Sequence, residues 1–117
     1  MKEKMRKFLK VLSVELEDLK EDLKYLQEQY GQRKDTGEIT DYVFLENVSM
    51  IEREHAGISA AEGILSALSI EQFSDVDALA NGLMNTLDEK LTAQDTPPAV
   101  LDFLKRKIIK VKRFVID

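Results

Sequence analysis

A leucine stripe with heptad spacing runs through the first quarter of the chain. Intervals of four and three residues alternate along Met5, Leu9, Leu12, Leu16, Leu19, Leu23, Leu26 and Tyr30. This spacing places apolar side chains along one side of an α-helix, where they are buried only if other helices pack against them. The sequence therefore predicts a long first helix over residues 2–30 in an all-α fold, with Gly31 as its C-terminal stop.

Three further segments show helical periodicity and are separated by short connections. We predict these helices over residues 40–69, 75–92 and 97–115. The expected N-caps are Thr40 or Asp41 for the second helix, Ser74 for the third and Thr96 for the fourth, because a side-chain oxygen at that position accepts a hydrogen bond from the first turn. Four helices with short links predict a single domain over residues 1–117. Its expected architecture is an antiparallel, up-down-up-down four-helix bundle with a long, coiled-coil-like first helix.

The second predicted helix carries apolar residues on two sides. Its main apolar face comprises Phe44, Val48, Ile51, His55, Ile58, Ala61, Ile64, Leu65 and Leu68. A second stripe consists of small residues, namely Ala56, Ala60, Gly63 and Ala67. Small side chains let another helix approach closely, so we expect this helix to pack on two sides and to be the central element of the bundle.

The composition excludes several classes of site. The chain has no Cys and one His, so disulfides, thiolate metal sites and His-rich metal clusters are ruled out. The Gly-rich and nucleophile motifs of nucleotide-binding and hydrolytic enzymes are also missing. No apolar run reaches the roughly 18 residues needed to cross a bilayer. We expect a cytoplasmic protein that is not transmembrane, has no cofactor and is not an enzyme.

Positive charge is concentrated at both ends of the chain. The net charge is −5, yet residues 1–10 carry +4, residues 105–117 carry +5 and the intervening 94 residues carry −14. In an up-down-up-down bundle both termini lie at the same end, which predicts one basic pole. Its members are Lys4, Lys7, Lys105, Arg106, Lys107, Lys110, Lys112 and Arg113. Such a pole is suited to nucleic acid, anionic lipid or an acidic partner.

A possible metal site is indicated by the segment Glu52-Arg53-Glu54-His55. Glu-x-x-His is the spacing used by carboxylate-bridged di-iron helical bundles, because it places both ligands on one helix face. Such a site needs two of these motifs and two further glutamates. The candidate ligands here are Glu52, His55 and Glu62, while the structural alternative is a half-buried His55 hydrogen-bonded to a neighbouring acid.

The length of the first helix favours an interaction or assembly module. At about 1.5 Å per residue it extends over about 40 Å, whereas the last two helices have only about 20 residues each. Part of the apolar seam is therefore expected to lie beyond its neighbours and to bind a second copy or another helical protein. That seam comprises Leu9, Leu12, Leu16, Leu19, Leu23 and Leu26. The alternatives are an accessory protein that binds nucleic acid or an anionic membrane through the basic pole, and a carboxylate–His metal site.

Overall fold

The computed structural model describes residues 2–116, which form four α-helices. They are α1 (Lys2–Asp35), α2 (Asp41–Ala67), α3 (Val76–Ala93) and α4 (Pro98–Ile116), with a 3₁₀ turn (Ile70–Gln72) between α2 and α3. No strand occurs among the described residues. The predicted all-α class is confirmed.

Successive helices are antiparallel and form two layers, α1 with α2 and α3 with α4. Lys107 Nζ of α4 lies 3.1 Å from Glu15 Oε2 of α1, and Lys112 Nζ lies 3.1 Å from Asp77 Oδ1 of α3. The Lys112–Asp77 pair joins the end of α4 to the start of α3, and the Lys107–Glu15 pair places the middle of α4 beside the first half of α1, as the up-down-up-down arrangement requires. The predicted four-helix bundle is confirmed.

The core is built from the heptad stripe of α1 and the apolar faces of the other helices. Its α1 members are Met5, Phe8, Leu12 and Leu16, while α3 contributes Val76, Leu79, Ala80, Leu83, Leu87 and Leu91. Buried residues of α4 recur at intervals of three and four, namely Val100, Leu104, Ile108, Val111 and Val115. Burial of these side chains in one contiguous cluster supplies the main stabilisation of the fold.

The α1–α2 hairpin is longer than the α3–α4 hairpin and extends beyond it. With 34 residues α1 is about 51 Å long, whereas the 18 residues of α3 and the 19 of α4 each extend less than about 30 Å. The Lys107–Glu15 pair fixes how the two antiparallel helices are aligned. Counted along both helices from this pair, Pro98 at the start of α4 lies level with Leu23 and Lys24 of α1. We call residues 24–50, which continue past that level, the arm.

The first helix does not stop at Gly31. It continues to Asp35 and ends at Gly37, which has a positive φ of 80°. The N–H of Gly37 donates to the Lys34 carbonyl at 3.1 Å, and the N–H of Glu38 donates to the Arg33 carbonyl at 2.8 Å. These two bonds form a Schellman motif, for which glycine is the favoured residue at the left-handed position. The prediction that Gly31 ends the helix is wrong.

One of the three predicted N-caps is confirmed. Thr40 Oγ1 accepts a hydrogen bond from the N–H of Val43 at 3.2 Å. The cap of α3 is Asp75 rather than Ser74, since its carboxylate accepts from the N–H of Ala78 at 2.8 Å. The helix α4 begins at Pro98, so Thr96 is not its cap. Proline suits this first helical position because its missing N–H would have no partner there.

The small-residue stripe of α2 does not pack against another helix. Three of its members, Ala56, Gly63 and Ala67, are exposed, and a Cβ atom at Gly63 would have no neighbour within 4 Å. The close approach occurs instead at the buried Gly57, where a Cβ would lie 2.9 Å from Thr96 Cγ2. The prediction that this stripe forms a second packed side is therefore wrong, although α2 does contact each of α1, α3 and α4.

Candidate interaction surfaces

The leucine seam of α1 passes from the core into solvent. Leu12 and Leu16 are each 2% exposed, while Leu9, Leu19 and Leu23 are half-buried. Leu26 is 42% exposed, although it continues the same heptad stripe. Within residues 2–116 the seam is thus covered at Leu12 and Leu16, partly covered at Leu9, Leu19 and Leu23, and open at its end, at Leu26.

Helix α2 adds apolar side chains to the open end of the seam. Met50 is 46% exposed and lies with Leu19 and Leu23 around a groove at the base of the arm. Val43 is exposed and occupies the position seven residues before Met50, hence the same side of α2. We call this surface, turned toward the layer of α3 and α4, the arm face. Its members are Leu19, Leu23, Leu26, Val43 and Met50.

Contacts within the arm hold its two helices together. The Phe44 ring lies against Gly31, where a Cβ would be 3.9 Å from Phe44 Cε1. Lys34 Nζ lies 4.8 Å from the centroid of the same ring. A cation over an aromatic ring is favourable by about 0.5–1 kcal/mol at an exposed site. The arm is therefore a packed helical hairpin, and its open side is a fixed surface.

A groove of about 370 Å³ lies where the arm leaves the bundle. Most of its lining is apolar, from Leu19, Leu23, Met50, Ile58, Pro97, Ala99, Val100 and Phe103. The charged residues Asp22, Glu54 and Arg106 also line it. Such a groove is suited to an apolar side chain from a partner that carries charged groups nearby.

The structure divides the predicted basic pole into two sets. Lys105, Lys107 and Lys112 form ion pairs with acids of neighbouring helices, and the shortest joins Lys105 Nζ to Asp88 Oδ1 at 2.6 Å. These three cations fasten α4 to α3 and α1. The second set makes no ion pair within residues 2–116. It consists of Lys4, Lys7, Arg106, Lys110 and Arg113.

Cations and exposed apolar side chains occur together where the start of α1 meets the end of α4. Phe114 is 61% exposed, and Lys7 Nζ lies 5.2 Å from its ring centroid. Val14, two helical turns beyond Lys7, is 54% exposed. We call this surface the basic-aromatic face, at the end of the bundle opposite the arm. Its members are Lys7, Lys10, Val14, Lys110, Arg113 and Phe114.

The residues proposed from sequence as metal ligands do not converge on a site. Glu62 binds Lys20, whose Nζ lies 2.6 Å from Glu62 Oε1, and this hydrogen bond raises the pKa of Lys20. Glu52 and His55 are exposed, and His55 Nδ1 lies 3.5 Å from Ser59 Oγ. His55 thus lies neither on the apolar face of α2 nor against an acid, contrary to both expectations. Residues 2–116 contain no group of three His, Asp or Glu side chains placed to hold a metal ion.

Comparison with known proteins gives no relative. No protein-family model matches the chain, and neither a curated protein nor a solved structure is detectably similar. None of the described helices is both long and apolar enough to cross a membrane. The two surfaces are therefore the features of the molecule that bear on its function.

Sequence reasoning missed several residues of these surfaces. It placed the seam on α1 alone, whereas Val43 and Met50 of α2 complete the arm face. Val43 and Met50 are seven residues apart, which is heptad spacing, but two residues are too few to reveal a stripe in the sequence. It also missed Val14 and Phe114, because an apolar residue on a helix is ordinarily assigned to the core.

Proposed function

We propose that this chain is a non-catalytic assembly module in which the arms pair two copies. The observation that carries this proposal is the exposure of Leu26, on a stripe whose first half forms the core, together with the exposure of Met50 on the neighbouring helix α2. Apolar side chains clustered on a rigid surface favour association because burial removes them from water. Since the chain lacks Cys, it is suited to a reducing compartment, and we propose the cytoplasm as its location.

The two-layer architecture favours an antiparallel pair. In each copy the α3–α4 layer stops at the base of the arm, which leaves a vacant position one helix layer thick. A second copy turned end to end places its own arm in that position, and the two arms complete a second four-helix bundle. Two copies oriented in parallel would keep both α3–α4 layers between the arms, so the arm faces would not meet.

Charge placement supports the same orientation. Arg33 and Lys34 lie in the last turn of α1 at the tip of the arm, while Asp22 and Glu54 line the groove at its base. An antiparallel arrangement brings Arg33 and Lys34 of each copy to Asp22 and Glu54 of the other. Complementary charges of this kind set the orientation of an interface more than they set its affinity.

The dimer is expected to be reversible. The arm extends only about 18 Å past α4 and is two helices wide, which gives an interface at the small end of the range for specific complexes. We therefore expect a monomer–dimer equilibrium with a dissociation constant on the order of micromolar. The dimer should persist at high salt, because its main contact is apolar.

The direct test replaces two members of the arm face with charge. Leu26→Glu with Met50→Glu should give a monomer across the whole concentration range in sedimentation velocity, with wild-type helicity by circular dichroism. The matched control is Tyr25→Glu, since Tyr25 is exposed next to Leu26 but lies off the stripe. It should dimerise as the wild type does. A wild-type chain that stays monomeric at high concentration, or a dimer unaffected by the double change, would contradict the proposal.

A second test examines the orientation of the two copies in the dimer by exchanging charges between the tip and the base of the arm. A tip variant (Arg33→Glu with Lys34→Glu) and a base variant (Asp22→Lys with Glu54→Lys) should each dimerise more weakly than the wild type. Mixing the two should restore association, because each mixed pair then carries two complementary contacts. A mixture that associates no better than its components would rule out the antiparallel orientation but leave pairing through the arm face intact.

A further inference from the structure

The basic-aromatic face combines cations with exposed apolar side chains, and we propose that it docks the protein onto an anionic lipid bilayer. It is formed by the start of α1 and the end of α4, away from the arm, so the inference does not depend on pairing of the arms. The observation that carries it is the exposed ring of Phe114 with Lys7 Nζ 5.2 Å from its centroid, and with Lys110 and Arg113 four positions and one position before it on α4.

Electrostatics favours this face over the rest of the molecule for contact with an anionic surface. The four cations Lys7, Lys10, Lys110 and Arg113 make no ion pair within residues 2–116. Their positive charges are therefore not offset by a paired acid within these residues and can attract an external anion. The long stretch between the two basic ends carries −14, so an anionic surface repels the rest of the molecule, including the arm. The protein should approach a negative membrane with this face first and the arm directed away.

The apolar members of the face suit a lipid surface. Phe114 and Val14 are exposed, and Lys7 and Lys10 precede Val14 by about two turns and one turn of α1. The apolar groups can therefore enter the boundary between headgroups and acyl chains while the charged groups remain at the headgroups. The lysine side chains can extend past the apolar ones in this way because their stems are apolar and flexible. This division of apolar body and charged rim is typical of proteins that lie on a membrane.

A lipid surface fits these residues better than a nucleic acid does. Base stacking needs a free ring face, but Lys7 Nζ already lies over the ring of Phe114 at 5.2 Å. Val14 offers no stacking surface and no hydrogen bond to a base. The sequence pI of about 5.0 is also far below that of a dedicated nucleic-acid-binding domain.

The test measures co-sedimentation of the full chain with two kinds of vesicle. The protein should bind vesicles of phosphatidylcholine mixed with phosphatidylglycerol and should not bind phosphatidylcholine alone. Lys110→Glu with Arg113→Glu should lower binding at least about tenfold, because each cation near the surface contributes severalfold to partitioning. The matched control is Arg53→Glu with Lys90→Glu, which makes the same charge change at exposed positions of α2 and α3 and should bind normally.

A second variant separates insertion from simple attraction. Phe114→Ala should lower binding about threefold or more without changing charge, and Phe114 is exposed enough that the fold should survive, which circular dichroism checks. Unchanged binding of this variant would overturn the proposal. So would failure to bind the anionic vesicles, or tighter binding to an oligonucleotide than to those vesicles at the same salt concentration.

Discussion

Gly82 lies in the middle of α3 against the ring of Phe73. Helix propensity alone gives glycine there a cost of about 1 kcal/mol relative to alanine. However, a Cβ at this position would lie 2.5 Å from Phe73 Cε1, which is too close for two carbon atoms. We expect Gly82→Ala to lower the free energy of unfolding by about 1–3 kcal/mol, as overpacking in a core does. Urea unfolding monitored by circular dichroism measures the change.

Gly63 provides the control for Gly82 because it is also a helical glycine. A Cβ there would have no neighbour within 4 Å, so only the propensity changes. Gly63→Ala should raise the free energy of unfolding by about 0.5–1 kcal/mol. If both variants were stabilised equally, the ring of Phe73 could not lie against α3 as described.

The salt bridge between Lys2 and Glu71 predicts a pH dependence of stability. Lys2 Nζ lies 2.9 Å from both carboxylate oxygens of Glu71, and this hydrogen bond lowers the pKa of Glu71. A carboxylate whose folded-state pKa is lowered stabilises the fold above its unfolded-state pKa and loses that contribution as the pH falls through the folded-state value. Lys2→Ala should therefore be less stable than the wild type near neutral pH and equal to it in acid.

Urea unfolding of both proteins at about pH 7 and about pH 3 checks the sign. The difference should be small because the pair is exposed to solvent, and salt should reduce it further. In a Glu71→Gln background Lys2→Ala should have no pH-dependent effect. A wild-type advantage that grew in acid would contradict the assignment of this pair.

At the scale of the helices, the sequence was sufficient to predict the four elements but not where each one ends. The heptad stripe and Thr40 identified α1 and the start of α2, because periodicity and capping are local properties. Gly31 and Gly37 are equally plausible stops by local rules. The choice depends on tertiary contact, since continuing past Gly31 lets Lys34 lie over Phe44 of α2. A single sequence does not show that Lys34 and Phe44 lie close together, so it does not decide between Gly31 and Gly37.

The same limit explains why the close approach of α2 was assigned to the wrong side. Ala56 and Gly63 belong to a regular stripe, whereas Gly57 appears isolated in the sequence. Gly57 is nevertheless the residue that faces Thr96 and Val100 at the start of α4. The rotation of a helix about its axis is fixed by how its neighbours pack, and spacing within one helix does not determine it.

At the scale of the whole molecule, the sequence indicated where the surfaces lie but not which residues form them. Helix lengths alone predicted that part of the α1 seam would have no partner in the chain. The basic pole was predicted from the topology, but Lys105, Lys107 and Lys112 turned out to be paired. Their acidic partners are on other helices, so only the packed structure separates paired cations from available ones.

The two proposed surfaces together predict that the protein links membranes. The basic-aromatic face and the arm face lie toward opposite ends of a molecule 55 Å long. In an antiparallel dimer that overlaps only through the arms, the two basic-aromatic faces lie at the far ends of a particle about 90 Å long. Each face can then contact a different bilayer, so the wild-type protein should cluster anionic vesicles.

Dynamic light scattering of vesicles with added protein measures the clustering. The wild type should increase the apparent vesicle size at concentrations above its dimer dissociation constant. The monomeric variant Leu26→Glu with Met50→Glu should bind the same vesicles without clustering them, because it retains one basic-aromatic face per particle. Lys110→Glu with Arg113→Glu should do neither, although it still dimerises. Clustering by the monomeric variant would show that the arms do not form the link, since a single face cannot join two bilayers.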